Sequence, residues 1–293
     1  MWIPLILLYI PCTELCVLTT LKYSRNYVKP EPAEVDTISK DPTPNLVYLK
    51  EPSDSDVYRN LTLWITLCAG AIISDRKLIS SANCFESNDF YHQRNPSVLR
   101  AVIGSNAFAN TFHTGFREST NISQWRTVKA IIIHSNYSFP NNNIAVVTIY
   151  DKFTLSPEVR VLPIPKNFTS DYDKTCSLSG FGYDVRHVPC DAPRCKQTSK
   201  ANIYLMTKQS CDKLFEMNMD EFICSSSAIA NMFLRDVGLP LICVVDVPSK
   251  RKKRANITSV LAGLVSARNF DRSILFSRLD KYKDWIDKNI TTP

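Results

Sequence analysis

Glycine is scarce in this chain, with seven in 293 residues, so few backbone positions have been left free for unusual dihedral angles. Long hydrophobic runs are missing too. After the first ten residues no stretch approaches the ~20 apolar residues that a helix needs to cross a bilayer, so a membrane-spanning protein is not expected. No CxxC or HxxxH spacing occurs, and the four histidines, His92, His113, His134 and His187, are scattered. That excludes the common zinc signatures, and neither a metal nor a cofactor is expected. Basic charge is not spread out. The formal net charge is +7, but Lys250, Arg251, Lys252, Lys253 and Arg254 supply five of those charges and leave +2 for the rest. A nucleic-acid-binding face needs a broader basic surface. No internal repeat is present.

What remains is an ordinary globular composition, 44% hydrophobic and 22% charged, with ample material for a core. Residues 2–10 form an apolar run followed by small and polar residues to position 20, which reads as a secretory signal peptide over 1–20. Six sequons fit an extracellular destination, at Asn60, Asn121, Asn136, Asn167, Asn256 and Asn289, each a candidate for N-glycosylation. Cysteine use agrees. Of ten cysteines, Cys12 and Cys16 lie in the presumed signal, leaving Cys68, Cys84, Cys176, Cys190, Cys195, Cys211, Cys224 and Cys243. Eight in a secreted chain suggest four disulfides, although spacing alone leaves 105 pairings open.

Residues 21–56 are rich in proline and charge, with Pro30, Pro32, Pro42, Pro44 and Pro52, and read as a flexible N-terminal extension. From position 57 short apolar runs recur, among them LTLWITL, AGAIIS, VLRAVIG, VKAIIIH, IAVVTIY, LPLICVVDV, SVLAGLVSA and SILFSRL. Their β-branched residues and the Asn, Asp, Ser and Pro clusters between them predict an all-β domain. In 278–290 the apolar residues Leu279, Tyr282, Trp285, Ile286 and Ile290 fall three or four apart, which predicts a C-terminal amphipathic helix.

Three segments follow one another in a telling order: SSANCF at 80–85, NNNIAV at 141–146 and RDVGLPLIC at 235–243. In order and distance they resemble the histidine, aspartate and serine motifs of the trypsin or chymotrypsin family. LCAGAII, IIIHSNYSFPNNNIAVVTI, TCSLSGFG, VLAGLVS and LFSRLDKYKDWIDKNI resemble other segments of that family. The resemblance implies two antiparallel β-barrels, about 57–160 and about 161–277, and the terminal helix, with the site between the barrels. It also implies three disulfides, Cys68–Cys84, Cys176–Cys243 and Cys211–Cys224. Cys190 and Cys195 are left over as a fourth pair. The family's bridge beside the nucleophile is absent, with Phe233 at one of its positions.

By the same resemblance Asn83 stands at the place of the general base, Asn143 at that of the orienting carboxylate and Val237 at that of the nucleophile. Proton transfer and acyl-enzyme formation need an imidazole, a carboxylate and a hydroxyl. The chain offers two amides and an isopropyl group. Where the family writes Gly-Asp-Ser-Gly-Gly-Pro around the oxyanion hole, this chain reads Arg235-Asp236-Val237-Gly238-Leu239-Pro240. Arg235 replaces a glycine whose backbone freedom shapes that turn. Asn231 maps to the base of the specificity pocket, and Arg268 and Ile274 map to its wall glycines. No Ile-Val-Gly-Gly activation motif precedes Cys68.

The expectation is therefore a secreted pseudoprotease acting by binding extracellular proteins, whether protease, inhibitor or peptide ligand. Resembling proteins are common in insects, where they serve in seminal fluid or as cofactors and decoys in immune cascades. Immune members usually carry a six-cysteine clip domain, and residues 21–60 contain no cysteine, which favours the reproductive role. Two rivals stand beside it. Lys250 to Arg254 could bind heparin-like glycans or be nicked by a processing protease; or an active hydrolase could use Ser266 or Ser81 with a histidine.

Overall fold

The computed structural model describes residues 44–56, 61–104, 111–113, 123–169, 176–180, 199–225, 237–247, 256–269 and 273–291. The signal-like run, Asn60, Asn121, Cys190, Cys195, Asn231, Phe233, Arg235, Asp236 and the 250–254 basic run lie outside them.

Seven strands make the first barrel: β1 (Leu46–Asp56), β2 (Leu61–Ile72), β3 (Lys77–Ser80), β4 (Arg100–Gly104), β5 (Thr111–His113), β6 (Ser123–Ile133) and β7 (Ala145–Ile149). They pair antiparallel in the order β1-β4-β6-β7-β3-β2-β5, and a further β1–β2 pairing closes the sheet on itself. Alternation along the strands sorts the side chains between faces. Val47 and Leu49 enter a core with Leu78, Phe85, Ile103, Val128, Val147 and Phe153. Leu46 and Tyr48 face the other way, into a cluster that includes Leu178, Leu241 and Phe276 of the second barrel. Each such residue contributes about 1.5–3 kcal/mol when fully buried.

The second sheet holds β8 (Cys176–Gly180), β9 (Ser199–Ile203), β10 (Phe222–Cys224), β11 (Pro240–Val247), β12 (Asn256–Asn269) and β13 (Ser273–Arg278). Its order is β10-β13-β12-β11-β8-β9, with a single bridge between Leu205 and Ser225 joining its two ends. This is the expected all-β, two-barrel architecture. A turn of 3₁₀ helix at Leu279–Tyr282 leads into α3 (Lys283–Thr291). There Leu279, Tyr282 and Ile286 pack with Ile79 and Val146 of the first barrel and Leu261 and Leu264 of the second. The helix thus seals the seam between them. Disulfides join Cys68 to Cys84, Cys176 to Cys243 and Cys211 to Cys224.

Three expectations need correction. The proline-rich segment 21–56 is not flexible throughout, because its last eleven residues are β1. Pro52 disguises that strand. Only Val47 to Lys50 pair on both sides, with β2 and β4, while the part from Glu51 on pairs with β2 alone and shifts register between Pro52 and Asp54. A proline there costs no interior ladder bond. Second, two helices were not expected, α1 (Ser87–Arg94) and α2 (Lys208–Phe215). Third, the terminal helix proper begins at Lys283, since Arg278 still belongs to β13.

Candidate functional site

The three motifs converge where the barrels meet. Asn83 lies on a 3₁₀ turn, Ala82–Phe85, directly after β3. Asn143 sits two residues before β7 and is 0% exposed. Val237 and Gly238 form the turn entering β11. A fourth residue, Ser266 on β12, completes the arrangement.

Asn143 is its hub. Its Oδ1 accepts the backbone N–H of Asn83 at 2.9 Å, and its Nδ2 donates to Ser266 Oγ at 2.8 Å. Its own carbonyl accepts from Ser277 Oγ at 3.0 Å. The Asn83 amide donates across the seam to the carbonyl of Ser266 at 3.4 Å. One acceptor is left over, for Asn83 Oδ1 is buried and bonds to nothing among the described residues. These side chains are uncharged at any ordinary pH, and their bonds hold the two barrels in register.

Asn83, Asn143 and Ser266 are therefore brought together as a bonded set. Val237 joins from the side, packing against the cluster that contains Cys68, Ala82 and Cys84. Its backbone is fixed, since its carbonyl accepts from Ala69 N at 2.9 Å. Gly238 follows at φ +84°, and a Cβ there would lie 2.1 Å from the carbonyl oxygen of Ala69. Only glycine fits such a position. Gly238 N donates to Val265 O at 2.8 Å, and Ser81 Oγ donates to the same carbonyl at 2.8 Å.

Of the pocket positions, Ile274 is fully buried and packs in the cluster that holds Leu239 and Val265. Arg268 stands opposite it across the β12–β13 ladder. Sequence reasoning did not find Ser277, nor the part Ser266 plays in bonding to Asn143. The one available signal is a serine in the middle of the apolar strand SILFSR, where a buried hydroxyl needs a partner.

The described histidines have other partners. His92 Nε2 is 3.2 Å from Glu51 Oε2, and His113 stacks on Trp125 with ring centroids 4.0 Å apart. His134 lies against Tyr282 and Trp285, where burial pushes its pKa down and Glu221 partly offsets the shift. Burial pushes the Tyr282 phenol up, helped by Glu221, whose carboxylate accepts from it at 3.1 Å. No group of three or more metal-ligating side chains occurs among the described residues, and none of the described helices is long and apolar enough to span a membrane.

Comparison with known proteins fits this geometry. The family model described as Trypsin matches residues 55–286. Mouse serine protease 28 is 24% identical over 241 residues, covering 78% of this chain and 79% of the relative. The venom serine protease of Polistes dominula is 24% identical over 147 residues, 50% of this chain and 48% of its own length. The human inactive serine protease PAMR1 is 23% identical over 246 residues, 78% of this chain but only 33% of that longer protein. On the match across both barrels, the chain belongs to the trypsin family of serine proteases.

Proposed function

We propose that this chain is a secreted trypsin-family protein without peptidase activity, working by binding other extracellular proteins. The observation that carries the reading is the bonding of Asn143. An aspartate there would accept from a base and stabilise its positive charge; the Asn143 amide instead spends Nδ2 as a donor to Ser266, and its neighbour Asn83 is another amide. Val237 supplies no atom for a covalent intermediate. Ile274, buried where a wall glycine is expected, and Arg268 opposite it favour a closed specificity pocket. Arg235 and Asn231 support the same reading from sequence alone.

The rival nucleophiles are poorly placed. Ser81 is 0% exposed, with its hydroxyl given to Val265 O, and Ser266 is 1% exposed. The protease-like domain, on this reading, starts no later than β1, with its barrels divided near residue 160. Extracellular disulfides and the sequons favour secretion. The partner on this reading is a protease, an inhibitor or a peptide ligand, in seminal fluid or in an immune protease cascade.

The purified protein, assayed on a chromogenic lysine or arginine ester beside active trypsin, is expected to give the buffer rate. Turnover that scales with protein concentration and stops on fluorophosphonate treatment overturns the reading.

A further inference from the structure

We infer that Asn136 and Asn167 carry N-linked glycans and that Asn289, despite its sequon, stays bare. The inference needs the secretory route of the proposed function but not the loss of catalysis.

The sequon at 136–138 lies in the hairpin between β6 and β7. Asn136 and Ser138 are both exposed. Tyr137 between them points inward, donating to Glu86 Oε2 at 2.9 Å and meeting the Phe90 ring edge to face. Asn136 Nδ2, the atom to be modified, donates to nothing among the described residues. The 167–169 sequon repeats this arrangement. Phe168 is 1% exposed and fixed at both ends, its N–H donating to Asp280 Oδ2 at 2.9 Å and its carbonyl accepting from Arg278. Asn167 and Thr169 face outward on either side of it. In both, an aromatic residue packed on the body, half-buried Tyr137 in one and buried Phe168 in the other, separates two exposed sequon residues.

Asn289 is the reverse case. It is half-buried on α3, its Nδ2 donates to Trp285 O at 2.8 Å, and its carbonyl accepts Lys77 Nζ at 2.7 Å. The Thr291 hydroxyl is directed at the carbonyls of Asp287 and Lys288. Both reacting groups are used by the helix. Asn60 and Asn121 lie outside the described residues, and Asn256 enters only through its backbone pairing with Val247.

The chemistry is a transfer without redox change. The Asn Nδ2–C1 bond forms as the C1–O bond to a lipid-linked pyrophosphate donor breaks, and the amide proton it loses is matched by the departing phosphate. Both sequons lie near the 279–282 turn, because His134 packs on Tyr282 and Phe168 is held by Asp280.

The test is to secrete the full chain from cultured mammalian cells, release glycans enzymatically in heavy-oxygen water and map the peptides. Labelled aspartate is expected at 136 and 167 in most molecules and at 289 in almost none. Asn136→Gln and Asn167→Gln should each remove one mobility step on a gel, and Asn289→Gln none. Protein that stays in the cell with every sequon unlabelled defeats the secretory reading and this inference together. An unlabelled 136 or 167 with other sequons occupied, or a 289 labelled in most molecules, defeats this inference alone.

Discussion

At the scale of single residues, Asn143 is a fastener between the barrels. Asn143 is fully buried with its side chain bonded to Asn83 N and Ser266 Oγ, and a buried donor or acceptor left unpaired costs about 1–3 kcal/mol. Replacing it by leucine keeps the branched shape but strands the Asn83 N–H and the Ser266 hydroxyl, while the backbone carbonyl that accepts from Ser277 Oγ is retained. Asn143→Leu should therefore lower unfolding free energy by about 2–3 kcal/mol, read as a shift in the urea midpoint at unchanged slope. His134 gives a second prediction, in pH. Its folded pKa lies below the ordinary value of about 6.5, with burial the main cause, so the folded state binds fewer protons than the unfolded chain. Stability is full above that ordinary value and falls as the pH drops from there through the folded pKa. His134→Phe should flatten this part of the acid slope, measured by denaturant midpoints between about pH 5 and about pH 7.5. An unchanged slope removes His134 from the explanation.

At the scale of elements, legibility in the sequence followed local pattern. The motifs around Asn83 and Asn143 were readable because their neighbours, SSANCF and NNNIAV, kept both composition and order. The terminal helix was readable from the spacing of Leu279, Tyr282 and Ile286. Strand β1 was hidden, since its prolines and acids have the composition of a linker, and only the register against β2 and β4 shows that Leu46, Val47, Tyr48 and Leu49 are all buried. Helix α1 was hidden for another reason. SNDFYHQR has no apolar stripe, and its Asp89 and Phe90 adopt φ values of 52° and 57°, outside the right-handed region. Nor could sequence show that Ser277 reaches Asn143, because that depends on how two barrels dock. The hidden strand yields a prediction. Burying its four apolar residues is worth about 6–12 kcal/mol, comparable with the ~5–15 kcal/mol net stability of a whole domain. A chain starting at residue 57 should show no cooperative unfolding transition, and one starting at residue 44 should show one.

At the scale of the molecule, two barrels, their disulfides and a sealing helix persist around a site made of amides and an isopropyl group. Inter-barrel bonds run through that site: Ser81 to Val265, Ala69 to Val237, Asn143 to Ser266 and Ser277 to Asn143. On the proposed reading, the place a protease uses for turnover serves cohesion here, and binding falls to the outer surfaces. The most direct measurement is the intact mass of the secreted, deglycosylated protein after prolonged exposure to a fluorophosphonate, with active trypsin alongside. The protein's mass should stay unchanged while trypsin gains one adduct per molecule. A single stoichiometric adduct on this chain, lost on denaturation before treatment, would mean that a working nucleophile survives and that the pseudoprotease reading is wrong.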